Sequence, residues 1–161
     1  MKPVTSSLLL RNLFFTLLQP GIVTGLIPYL LVRNKVKILF SNPFEFQQYL
    51  GVLIWLLGII ILFHCIIRFA TEGQGTISPA DPTKRLVIKG LYRFSRNPMY
   101  VGVMLILIGE AVFCPSVALW LYTISVFIAV SLFVITHEEP RLRNDFGEDY
   151  EAYCRRVRRW I

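Results

Sequence analysis

Side chains that usually do chemistry are scarce in this chain. It holds two histidines and three cysteines in 161 residues, and neither type recurs at metal-ligand spacing. Cys65, Cys114 and Cys154 are odd in number, and two of them lie within or at the end of apolar stretches. They predict no disulfide framework and no zinc site, and core packing is the ordinary role of a thiol so placed. Acids are few as well, since Lys and Arg number 17 against 10 Asp and Glu, giving a formal charge of +7. The Gly-x-Gly at Gly73 and Gly75 stands alone, without the strand and helix alternation that a dinucleotide fold needs. Hydrophobic residues make up the balance at 55%, with a mean hydropathy of +0.57. That is too apolar for an ordinary soluble domain of this size and indicates a membrane protein.

Apolar segments at 13–32, 49–69, 98–113 and 117–136 predict an all-α, polytopic membrane protein with about four transmembrane helices. The third is the shortest. The first is too long for a signal-peptide core and lacks a clear small-residue cleavage site, so it is expected to be retained. Gln19, Pro20 and Gly21 predict a kink inside it. Four spans put the loop at 70–97 and both ends of the chain on one side. Most of the lysines and arginines fall there, while Arg33, Lys35 and Lys37 fall in the outer loop. The charge bias places the loop and the tail in the cytoplasm.

The tail carries Leu142, Phe146, Tyr150, Tyr153, Val157 and Trp160 at spacings of three or four. With Pro140 in its first turn, it predicts a C-terminal interfacial helix on the cytoplasmic membrane surface, with a bend at Gly147. Its closing arginines suit either anionic headgroups or simple topology. Gly51 and Gly58, and likewise Gly102 and Gly109, are seven apart and so share a helical face, the pattern by which membrane helices pack closely. Two ionisable residues interrupt the apolar segments. Glu110 marks a functional cavity, where it would meet substrate, or a paired structural contact; His64 fits an interhelical hydrogen bond.

Most of the remaining polarity gathers where the third and fourth segments meet the cytoplasm. Tyr92, Arg93, Arg96, Asn97 and Tyr100 come from one side of that hairpin, and His137, Glu138, Glu139 and Arg141 from the other. Cations for a carboxylate, aromatic faces, and carboxylates for an amine or ribose hydroxyls suit a zwitterionic, ribose-containing ligand. The same residues also suit an ordinary charged border to membrane helices.

The run Arg96-Asn97-Pro98-Met99-Tyr100-Val101-Gly102, preceded by Leu86-Val87, Gly90 and Tyr92-Arg93, is followed at a distance by Glu138-Glu139, Phe146-Gly147, Tyr150 and Tyr153. This pattern resembles the integral-membrane methyltransferases of the isoprenylcysteine carboxyl methyltransferase and phospholipid methyltransferase superfamily. The resemblance covers about 73–160 and implies one methyltransferase domain over 1–161. It implies S-adenosyl-L-methionine as cofactor, enclosed by the cytoplasmic helix ends. By position, Leu86, Val87, Tyr92, Arg96, Asn97, Pro98, Met99, Tyr100, Glu138 and Glu139 would bind it. Asn97 stands where many relatives have histidine, so that position is no general base. His137 and Glu139 are the candidate catalytic bases, needed only if the acceptor must lose a proton.

The implied acceptor is a lipid or another lipophilic small molecule drawn from the membrane; no nucleic acid is expected as partner. In the prenylcysteine enzymes an arginine about one turn before the acidic pair is thought to hold the substrate carboxylate, and residues 121–136 contain none. That counts against a prenylcysteine carboxylate. A catalytically silent scaffold retaining the fold is the alternative reading, and the prokaryotic inner membrane is the expected location.

Overall fold

A computed structural model describes residues 20–41, 43–72 and 86–161. The described residues are all-α. A π-helical turn, Ile22–Leu26, leads into α1 (Ile27–Ser41), followed by α2 (Phe46–Glu72) and a short 3-10 turn (Gly90–Arg93). Then come α3 (Pro98–Phe113), α4 (Val117–Phe133), a second π turn (Val134–Glu138) and α5 (Glu139–Arg156). Phe46–Arg68 and the continuous helical stretch Val117–Arg156 are long and apolar enough to cross a membrane, while α3 is a shorter apolar helix. The apolar part of the second stretch ends near Thr136.

The central contact is α2 against α3, and glycine creates it. A Cβ on Gly58 would lie 2.7 Å from the Gly102 carbonyl oxygen, and one on Gly109 would lie 2.8 Å from that of Gly51. The two glycine pairs therefore interlock antiparallel, Gly51 with Gly109 and Gly58 with Gly102, and the backbones touch with no side chain between them. Beside this seam, Leu62, Val103, Ile106 and Leu107 form a buried cluster that Tyr122 and Val126 of α4 join.

Where a kink is expected, the helix takes up the first π turn, just past Pro20 and Gly21. Thr24 Oγ1 donates to the Pro20 carbonyl at 2.8 Å, and the Tyr122 hydroxyl donates to the Val23 carbonyl at 2.9 Å. Side chains thus serve backbone groups around the irregular turn. The part of the first segment before residue 20 lies outside the described residues. Beyond it, the expected outer loop is corrected: Arg33, Lys35 and Lys37 belong to α1, which runs to Ser41. Lys and Arg are good helix formers, and continuing the helix satisfies backbone groups that a loop at the membrane edge would leave open.

At the other end, α4 passes through the second π turn into α5 without a break. Pro140 follows directly on the π turn and, having no N–H, interrupts the hydrogen-bond ladder of the continuous helix there. Gly147, at φ +50°, adopts a non-helical conformation and bends α5, as its position suggested. Tyr150, Tyr153 and Val157 are buried together, with Leu142, Phe146 and Leu86 packed against them. The helix stops at Arg156 rather than continuing through Trp160. The chain then turns extended, and Trp160 packs on Phe127 of α4 with ring centroids 5.5 Å apart.

Candidate active site

The N-terminus of α3 is built by proline and by a returning strand of chain. Pro98 starts the helix where its lack of an N–H is harmless. Just before it, residues 95–97 meet residues 158–159. Ser95 and Arg158 form a parallel β-bridge, and the Arg96 N–H donates to the Arg158 carbonyl at 2.9 Å. Asn97 Nδ2 donates to the Arg159 carbonyl at 3.0 Å, and the Asn97 N–H donates to Ser95 Oγ at 3.1 Å. The Tyr153 hydroxyl closes the same turn by donating to the Tyr92 carbonyl at 2.6 Å.

Two carboxyls adjacent in sequence occupy opposite environments here. Glu139 is 6% exposed and is held by two arginines. Arg159 Nε and Nη2 donate to its Oε1 and Oε2 at 2.7 and 3.1 Å, and Arg96 Nη1 lies 3.2 Å from Oε1. Burial acts to raise its pKa, but the Arg159 hydrogen bond and the charges of Arg96, Arg159 and Arg143 prevail, and the carboxyl is held below its usual range. Glu138 instead accepts a hydrogen bond from the Tyr100 hydroxyl at 3.0 Å. Burial pushes its pKa up; Tyr100 and Arg141 oppose the rise, and Glu139 adds to it. Tyr92, buried beside Cys65, has its pKa raised by desolvation and by nearby groups that include Glu138, Tyr153 and Tyr100.

Among the described residues two buried guanidinium nitrogens beside this pair have no hydrogen-bond partner, Arg96 Nε and Arg141 Nε, although Arg141 Nε lies 3.9 Å from Asp145 Oδ2 in a half-exposed ion pair. Buried donors are ordinarily satisfied, so Arg96 Nε is an open position for an acceptor, and Arg141 Nε is one that Asp145 already faces. Together they offer donors for a carboxylate and, at Glu138, an acceptor for an amine. The donor set fits the amino-acid end of S-adenosylmethionine.

The structure brings Tyr92, Arg96, Asn97, Pro98, Tyr100, Glu138 and Glu139 to one place, and it separates others. Met99 packs into the clusters between α2, α3 and the turn at Tyr92. Val87 is buried beside Cys65, and Leu86 borders a groove of about 890 Å³ lined also by Lys89, Arg93, Phe146 and Arg156. His137 is exposed, stacked on Phe133 at 5.6 Å with its Nδ1 2.6 Å from Thr136 Oγ1. Glu110 lies ten residues from Tyr100, about 15 Å along α3, and lines a different cavity. Sequence reasoning missed Ser95, Cys154 and Arg159. Arg96 Nη1 reaches Cys154 Sγ at 2.8 Å, and Arg159 had been grouped with a run of surface arginines. Its signal was the neighbouring Trp160, an aromatic among charges that turns the chain back onto the helices.

The phospholipid methyltransferase family profile matches residues 46–149. The chain belongs to this family. The match takes in α2, α3, α4 and most of α5, and so Tyr100, Glu138 and Glu139. An uncharacterized protein of Haemophilus influenzae is 33% identical over 63 residues, 39% of this chain and the whole of that relative. Proteins of Oryza sativa subsp. indica and japonica, described as probable protein-S-isoprenylcysteine O-methyltransferase, are each 27% identical over 118 residues. That alignment covers 72% of this chain and 61% of each rice protein, so the chain spans under two thirds of their length. No solved structure matches it.

Proposed function

We propose that the protein is an S-adenosylmethionine-dependent methyltransferase acting on a lipophilic acceptor taken from the membrane. The observation that carries this reading is the Tyr100–Glu138 hydrogen bond beside Arg96 Nε, which has no hydrogen-bond partner among the described residues, and the Arg141 guanidinium. Family membership supports methyl transfer as the chemistry. Glu138 would hold the cofactor's amine or a ribose hydroxyl, the two arginines its carboxylate, and Tyr92 and Tyr100 its apolar flank. When bound, the cofactor supplies an electrophilic sulfonium methyl.

The chain's own part is to hold an acceptor close and to exclude water, which is most of what such a transfer requires. Where the acceptor must lose a proton, Glu138 is the better placed base if it holds a ribose hydroxyl; paired with the cofactor's ammonium it would stay ionised and take no proton. Its pKa is raised while that of Glu139 is lowered, and a pair of carboxyls driven apart in this way divides its roles. Glu139 is then a positioning residue that fixes Arg96 and Arg159. His137, on the outer surface of its helix, takes no step in this reading.

The same reading has four spans, with the tail and the 70–97 loop in the cytoplasm and α5 at the cytoplasmic surface of a prokaryotic inner membrane. Two long apolar helices, the shorter α3 and the apolar segment at 13–32 support it. The acceptor class follows from the family and the rice relatives as either a phospholipid or an isoprenoid-linked group.

Calorimetric titration of S-adenosylhomocysteine into the detergent-purified protein tests the reading. Saturable binding that Tyr100→Phe and Glu138→Ala weaken supports it and directs radiolabelled methyl transfer into lipid extracts. Absence of binding by folded protein in both detergent and nanodiscs would turn the assignment to a silent scaffold.

A further inference from the structure

Away from the cofactor site, α1, α2 and α3 line a second, half-open cavity of about 440 Å³, within the range of small-ligand sites. Its walls are Gly25, Tyr29, Val32, Trp55 and Phe113, and the acid among them is Glu110. The Trp55 indole hydrogen-bonds the Glu110 carboxyl, but its Oε2 is buried with no hydrogen-bond partner among the described residues. The Tyr122 hydroxyl on α4 is already committed to the Val23 carbonyl. A carboxyl kept only for structure would have both oxygens paired, because an unpaired polar atom in apolar surroundings is costly.

The missing partner can be identified by chemistry. An indole N–H only donates, so the oxygen it meets is an acceptor. The free oxygen is either a second acceptor, if the group is ionised, or an O–H donor, if it is neutral. An amine serves both states: as an ammonium it donates to a carboxylate, and as a free base it accepts from the acid. A hydroxyl can also make either bond, but it leaves an ionised carboxylate uncompensated, and another carboxylate would repel it. The rest of the lining requires an apolar body. We infer that this cavity is a second binding site, for a lipophilic amine, separate from the site of methyl transfer. The inference rests on the cavity and its open oxygen and stands independently of the proposed activity.

Trp55 in the cavity wall supplies the readout. In a Trp120→Phe/Trp160→Phe background, purified protein in detergent is titrated with bromoalkyl probes of one chain length bearing an amine, an alcohol, a carboxylate or no polar group. The expected result is saturable quenching by the amine, about tenfold weaker binding of the alcohol, and only unsaturable partitioning of the other two. Glu110→Gln should weaken the amine about tenfold and spare the alcohol; Glu110→Leu should abolish saturation for both. Folding is verified by circular dichroism and gel filtration rather than by cofactor binding. Equal quenching by all probes, unchanged in Glu110→Gln, would overturn the inference in favour of lipid tails filling the space. No quenching by any probe would overturn it in favour of a cavity closed by the chain itself.

Discussion

Replacing Tyr100 with phenylalanine removes one oxygen and leaves Glu138 buried without its donor. Such a loss costs the folded state about 1–3 kcal/mol, so Tyr100→Phe should melt at a lower temperature, and S-adenosylhomocysteine, read by calorimetry, should bind more weakly because Glu138 loses the bond that orients it. Glu139→Gln should likewise lower stability. It removes the negative charge and one of the two oxygens that accept from a partly exposed arginine, a loss of about 1–2 kcal/mol after solvent screening. Because the Glu139 pKa is depressed from its ordinary 4.5 in the folded state, its stabilisation is complete above that value and is lost as the pH falls through the folded value. The melting-temperature gap between wild type and Glu139→Gln should therefore be widest near neutrality and close in acid; a gap independent of pH would refute the ion-pair assignment. Tyr100 and the acidic pair were legible in the sequence as residues of the site, whereas the division of labour between the two acids was not. It depends on Arg159, twenty residues beyond Glu139, and no local periodicity links residues so far apart.

Helices carried most of what the sequence could convey. The apolar segments at 49–69, 98–113 and 117–136 correspond to α2, α3 and α4 within a few residues, because an apolar run of that length has few other ways to satisfy its backbone. The glycine spacing announced the α2–α3 seam for an equally local reason. A substitution Gly58→Val should force that seam apart, since its Cβ would meet the Gly102 carbonyl and the Ile106 backbone at 2.7 Å. Overpacking of this kind costs about 1–3 kcal/mol or more. Gly21→Ala, with no atom within 4 Å of the added carbon, is the matched control and should be neutral or slightly stabilising. Thermal unfolding in detergent separates the two. The extension of α1 through Arg33, Lys35 and Lys37 was not legible, because charge was taken to end a membrane helix where it only ends the apolar part.

Across the whole molecule, the site is held shut by residues distant in sequence. The carbonyls of Arg158 and Arg159 receive Arg96 and Asn97, and Trp160 anchors the segment on α4. A chain stopped after Val157 should retain its helical circular dichroism but lose S-adenosylhomocysteine binding, because the Asn97 side chain loses its acceptor and Glu139 loses Arg159 together. Retained affinity would show that the turn at Ser95 holds its shape alone. The proposed orientation has its own check: green fluorescent protein fused after Ile161 should fluoresce in a bacterial host, and alkaline phosphatase at the same place should be inactive.

The bond from Asn97 to the Arg159 carbonyl spans 62 residues, which sets a delay during synthesis. At about 5–20 residues per second, Arg159 is made roughly 3–12 s after Asn97. For that interval a newly inserted α3 presents Arg96 and Asn97 without their tail partners. The half-built site is then at its most vulnerable to quality-control proteases, and a slow codon run between the two would be expected to lower the yield of protein more than its activity.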